Sequence, residues 1–215
     1  MADNKLTVGG VLYPGFELLD LFGPLEMYSL MGAEQVEIIL VAEDSAPVPS
    51  AMGQDISHGP KASPDHTFAD APQLDVLVLP GGFGTIPQLE NPALLTFLAA
   101  QAEHARVVSS VCTGSALLAR AGLLEGRRAT SNKQIFKLAA SQPGEIDWVE
   151  EARWVEDGKF FTSSGVSAGI DMSLAVIASL FSQDVAEGIA VAAEYTWHRD
   201  PDVDPFAAHL NAMSL

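Results

Sequence analysis

The sequence predicts an α/β protein built on a mostly parallel β-sheet wrapped by helices. Three observations predict it. Short apolar runs alternate with longer segments whose apolar residues recur at helical spacing. That alternation is the signature of strand–helix–strand units. The 215 residues are 48% hydrophobic, enough for one sizeable core. No linker, repeat or low-complexity segment divides them, so residues 1–215 are read as a single domain.

The elements follow in order. Residues 6–13 (LTVGGVLY) read as a buried first strand, ended by Pro14 and Gly15. Residues 20–31 read as a helix, with Leu21, Leu25, Tyr28 and Met31 on one face. A second strand covers 36–42 (VEIILVA). Residues 44–73 are rich in Pro, Ser, Asp and Gly and hold loops and short strands. Residues 74–79 (LDVLVL) form a buried strand closed by Pro80-Gly81-Gly82. Asn91 caps a helix with Pro92 at its first position, running to His104. A strand at 107–111 leads into a helix after Cys112 that Gly122 ends. Residues 132–140 read as a helix. Residues 153–156 and 159–163 flank Asp157-Gly158, a hairpin signal. Two more helices cover 167–180 and 184–197, and the tail HRDPDVDPFAAHL reads as coil lying on the surface.

Composition narrows the partners. The formal net charge is -17, with 28 acidic against 11 basic residues. Such a surface repels phosphate backbones and anionic lipids, so neither nucleic acid nor membrane is expected as a partner. No apolar stretch reaches the ~18 residues of a membrane span, and no helix-turn-helix module is visible. The first residues carry no secretory leader pattern. One cysteine cannot form an internal disulfide, which fits a reducing compartment. A cytoplasmic protein is expected.

The one cysteine stands where a strand gives way to a helix, in SSVCTGSALLARAGLL. In an open parallel sheet, ligands gather at the carboxyl ends of the strands. A sharp strand-to-helix turn exposes a nucleophile there, and the helix start favours a thiolate. An unperturbed role is the alternative, because free cysteines are commonly buried and inert. Gly81 and Gly82 follow another strand, so they fall on the same edge. Glycine there lets backbone amides approach a substrate, as an oxyanion hole needs. Asp20 opens the first helix and brings a carboxylate to that edge, with a plain N-cap as its alternative role.

The stretches LLDLFGP, LVLPGG, SVCTGSALLARAGLLEGRRAT and TSSGVSAGID together resemble the ThiJ/PfpI superfamily, related to the class I glutamine amidotransferases. The resemblance covers about residues 6–195 and points in particular to the isocyanide hydratase branch, with its LDLTGP-like motif and CTGS elbow. It implies a flavodoxin-like three-layer sandwich, a homodimer, and Cys112 as nucleophile. It implies Asp20 as the acidic partner of the thiol, where other branches place a glutamate. Gly81, Gly82 and Thr113 would orient and polarise the substrate. Asn132, Gly165 and Val166 would line its pocket.

The chain also departs from relatives. Superfamily proteases place a histidine directly after the cysteine, and here Thr113 stands there, so proteolysis is not expected. The hydratases tend to carry a histidine in an ATTHW-like stretch, and here ATSNKQIF has Asn132 and Lys133. His58, His66, His104, His198 and His209 match no catalytic position, and no metal-ligand spacing occurs, so no metal and no cofactor are expected. The resemblance implies hydration of an isocyanide or similar small electrophile. Glyoxalase-like conversion of 2-oxoaldehydes and a non-catalytic redox or stress sensor, its thiol oxidising to a sulfinate, are the alternatives.

Overall fold

Turn residues cut the apolar runs into strands, and the first run becomes the middle of the sheet. The computed structural model describes residues 5–213. The chain opens with β1 (Leu6–Val11), α1 (Leu18–Ser29) and β2 (Val36–Ala42). Short strands β3 (Val48–Pro49), β4 (Lys61–Ala62) and β5 (His66–Thr67) occupy the loop-rich stretch. Next come β6 (Val76–Leu79), α2 (Thr85–Gln88), α3 (Pro92–His104) and β7 (Val107–Val111). Helix α4 (Gly114–Arg120), β8 (Arg128–Ala129), α5 (Phe136–Ala140) and β9 (Asp147–Trp148) follow. The hairpin of β10 (Trp154–Asp157) and β11 (Phe160–Ser163) precedes α6 (Ala168–Leu180) and α7 (Gln183–Ala192).

Seven strands form the central sheet in the order β10-β11-β7-β6-β1-β2-β5. Every neighbour pair is parallel except the β10–β11 hairpin. Helices α1, α6 and α7 pack together, and α2, α3 and α5 gather around α4. The sheet is thus mostly parallel and flanked by helices, as expected. The chain leaves β1 toward β2 on one side and returns through β6 on the other. That reversal opens a crevice at the carboxyl ends of β1 and β6, beside β7.

Local signals held where they were short-ranged. Asn91 accepts hydrogen bonds from the amides of Ala93 and Leu94 ahead of Pro92. The Asp157-Gly158 turn closes its hairpin, with Gly158 at φ 61°. Three helix boundaries differ from the sequence reading, and so does the tail. Helix α1 starts at Leu18, so Asp20 lies inside it and does not open it. Residues 132–135 form a turn ahead of α5, because the Asn132 side chain accepts from the Ile135 amide at 3.2 Å and donates elsewhere. Helix α7 ends at Ala192, and Glu194 then takes φ 50°. The tail is not only surface coil: Asp204 is buried.

Candidate active site

Strand β7 delivers Cys112 to the sheet edge, where its backbone takes φ 58°. A residue other than glycine adopts that region at a cost of roughly 1–3 kcal/mol, so surrounding bonds must hold it. They do. The Cys112 amide donates to the carbonyls of Ser163 and Ser164 at 3.1 and 3.3 Å. Its carbonyl accepts from the hydroxyls of Ser115 and Ser131 at 3.2 and 3.1 Å. Gly165 backs directly onto the thiol: a Cβ added there would fall 2.7 Å from Sγ and 2.5 Å from Asn132 Nδ2. Cys112 is only 6% exposed.

Asp20 sits one turn into α1 and is fully buried. It is not the helix cap. Glu17 holds that position and makes no side-chain cap bond. Instead Asp20 Oδ2 accepts the Gly81 amide at 2.9 Å. Its Oδ1 has no hydrogen-bond partner placed on it among the described residues. A Cβ on Gly81 would strike Thr113 at 2.5 Å, so glycine is what allows that loop to close over the carboxyl.

The glycine amides are already engaged. Gly81 is bound to Asp20, and the Gly82 amide donates to Thr113 Oγ1 at 2.9 Å. Thr113 in turn meets Thr85 Oγ1 at 2.8 Å, and Thr85 meets the Tyr13 hydroxyl at 3.1 Å. Tyr13 donates to the Pro80 carbonyl at 2.7 Å. These buried hydroxyls lock the PGG loop onto the elbow. The Gly81 amide is thus spent on the Asp20 carboxyl and the Gly82 amide on Thr113 Oγ1.

Asn132 donates its Nδ2 to Cys112 Sγ at 3.1 Å. The thiol opens onto a cavity of about 160 Å³ that Gly82, Thr113, Asn132 and Val166 help to line. Sequence reading missed five further lining residues: Glu17, Phe83, Gln134, Ile135 and Met213. Glu17 and Phe83 lie beside motif residues and were within reach of a local reading. Met213 arrives from the far end of the chain, and no local signal points to it. No histidine lines the cavity. Among the described residues, no group of three or more His, Cys, Asp or Glu could hold a metal ion.

Burial pushes the Asp20 carboxyl well above the usual carboxylate range, opposed by the Gly81 amide. Burial also raises the Cys112 thiol, and the Asp20 charge raises it further; the Thr113 amide and Asn132 oppose both. The helix start led to the expectation of a lowered thiol pKa. Enclosure outweighs it, because a charge without water is costly. The two groups are coupled. A protonated Asp20 would no longer oppose the thiolate by its charge, and two donors, the Thr113 amide and Asn132, face the sulfur. Glu17 is half-buried and raised by burial as well.

A thiol on a strained strand-to-helix turn, beside a buried carboxyl at the crevice of a doubly wound sheet, defines the cysteine-elbow proteins of flavodoxin-like fold. The chain belongs to the DJ-1/PfpI family, whose model matches residues 8–179. It is 39% identical to isonitrile hydratase of Pseudomonas putida over 190 residues, 88% of this chain and 78% of that one. A ThiJ/PfpI family protein from Pseudomonas syringae has a similar structure, with TM-score 0.80 and 34% identity over 94% of this chain and 77% of that one. A DJ-1 superfamily protein from Salmonella typhimurium aligns with TM-score 0.76 and 26% identity, over 89% of this chain and all of that one.

Proposed function

We propose that this protein hydrates an isocyanide to an N-substituted formamide, with Cys112 as nucleophile and Asp20 as acid and base. The observation that carries the reading is the fully buried Asp20 carboxyl, raised in pKa and coupled to the Cys112 thiol. Such a pair supplies a nucleophile and a proton without an imidazole.

The reactive pair holds one proton. The Cys112 thiolate forms a bond to the terminal isocyanide carbon, and Asp20 gives its proton to that carbon. The product is a thioimidate on the sulfur and a carboxylate at Asp20. Water then adds: its hydroxyl goes to the carbon and its other proton, relayed by Asp20, to the nitrogen. The C–S bond breaks, the sulfur leaves as thiolate, and the hydroxyl proton returns to Asp20. One isocyanide and one water give one formamide, and the pair is restored. Thr113 and Asn132 stabilise the thiolate that opens and closes this cycle.

The similarity to an isonitrile hydratase supports the reading. The test is formamide production from a simple alkyl isocyanide by the wild type and by Cys112→Ser. Turnover that Cys112→Ser retains would remove the mechanism. We also propose that the protein works as a cytoplasmic homodimer. Leu19 and Phe22 on α1 are 42% and 40% exposed, and they line a shallow apolar groove with Ile170. A second chain would cover them.

A further inference from the structure

Residues after α7 do more than follow the surface. Tyr195 donates its hydroxyl and His198 its backbone amide to Asp171 Oδ1, at 3.0 and 2.8 Å. The Pro201 carbonyl accepts the Arg153 amide at 2.7 Å. Asp204 then plugs into the protein: its side chain has no exposure, with Arg153 Nη1 at 3.6 Å and Lys133 Nζ at 4.0 Å. Lys133 is itself buried and donates to Thr130 Oγ1 and the Ala152 carbonyl. A buried charge needs such partners, so the tail is fixed by chemistry that a free surface coil does not have.

The consequence reaches the cavity. The Asn211 amide donates to the Lys133 carbonyl at 2.7 Å, and the Met213 amide to the Gln134 carbonyl at 3.0 Å. Asn211 Oδ1 also accepts the Lys137 amide at 2.8 Å. The tail therefore runs beside the segment that carries Asn132, the donor to Cys112 Sγ. This register sets Met213 in the cavity wall with Phe83, Ile135 and Val166.

We propose that Met213, held by the strapped tail, is a specificity-determining residue that limits the N-substituent of the substrate to a compact apolar group. The proposal rests on the hydratase reading for its substrate class. A thioether suits the role, since it is apolar and adapts its shape to what it contacts. Met213 is 40% exposed, so replacing it leaves the core intact.

The experiment compares wild type, Met213→Ala and Met213→Trp with two pairs of probes. One pair is ethyl and 1-naphthyl isocyanide, read as kcat/KM. The other is iodoacetamide and N-(1-naphthyl)iodoacetamide, read as the alkylation rate of Cys112. Met213→Ala should raise the bulky-to-small ratio in both pairs by about tenfold or more, and Met213→Trp should lower it, as pocket discrimination of a few methylenes allows. Unchanged ratios in both variants, with unchanged melting temperatures, would overturn the proposal. If the wild type turns over neither isocyanide, the hydratase reading fails, and the alkylation ratios alone decide whether Met213 forms the wall.

Discussion

Asn132 Nδ2 lies 3.1 Å from Cys112 Sγ, and the same side chain accepts the Ile135 amide through its Oδ1. The second bond fixes the amide so that its NH₂ faces the sulfur. A hydrogen bond given to a thiolate stabilises the charged form and lowers the pKa.

Asn132→Ala should therefore raise the Cys112 pKa further and slow its alkylation at neutral pH. A bond to a charged group is worth about 1.5–3 kcal/mol, so the rate at fixed pH should fall about tenfold or more. Alkylation rates followed by intact mass across pH will check it. An unchanged profile would mean that the bond carries no weight.

Stability should fall toward alkaline pH, and the pair should be part of the cause. Both groups have folded pKa values above their ordinary ones, 3.8 for the carboxyl and 9.0 for the thiol. A raised pKa means the folded state binds the proton more tightly. Its contribution is complete below the unfolded pKa and is lost as pH rises through the folded one. For Asp20 the loss begins above 3.8, and for Cys112 above 9.0. Melting temperatures from pH 5 to 10 should decline less in Asp20→Asn and in Cys112→Ser than in the wild type. Parallel curves would reject the linkage.

Gly165→Ala should damage the site more than the fold. Its Cβ would press on Sγ and on Asn132 Nδ2. Displacing a reacting atom by about 1 Å can cost about 10²-fold in rate. Gly188→Ala in α7 is the control, because a Cβ there meets nothing within 4 Å. Alanine in a helix interior should stabilise by about 0.5–1 kcal/mol with no change at the thiol. Alkylation rate and melting temperature, measured on both variants, separate the two effects.

What was legible in the sequence was what short-range chemistry dictates. The strand at Val36–Ala42, the strand at Val107–Val111, the Asn91-Pro92 helix start and the Asp157-Gly158 hairpin each rest on a few neighbouring residues. Cys112 at a strand end was legible for the same reason. The environment of Asp20 was not, because it depends on the Gly81 amide 61 positions away. Nor were the engaged Gly82 amide, the buried Lys133–Asp204 contact or the place of Met213. Those arise from distant segments meeting, which no local periodicity records. The early end of α7 belongs with them: Asp171 draws in Tyr195 and His198, and the helix stops short of both.

The apolar groove on α1 predicts association. At micromolar concentration, light scattering should return twice the 22.7 kDa of one chain. A mass of one chain would reject the dimer.

The central claim is that Asp20 carries the proton that the Cys112 chemistry needs, and one measurement tests it most directly. It is the turnover of ethyl isocyanide to N-ethylformamide by Asp20→Asn beside the wild type. Asparagine keeps the size of the side chain and an oxygen for the Gly81 amide, but has no carboxylic proton to give. Removal of a general acid typically costs about 10²–10⁴-fold, so turnover should fall by that factor at a near-native melting temperature. Turnover at the wild-type rate would contradict the account and leave Asp20 a structural carboxyl.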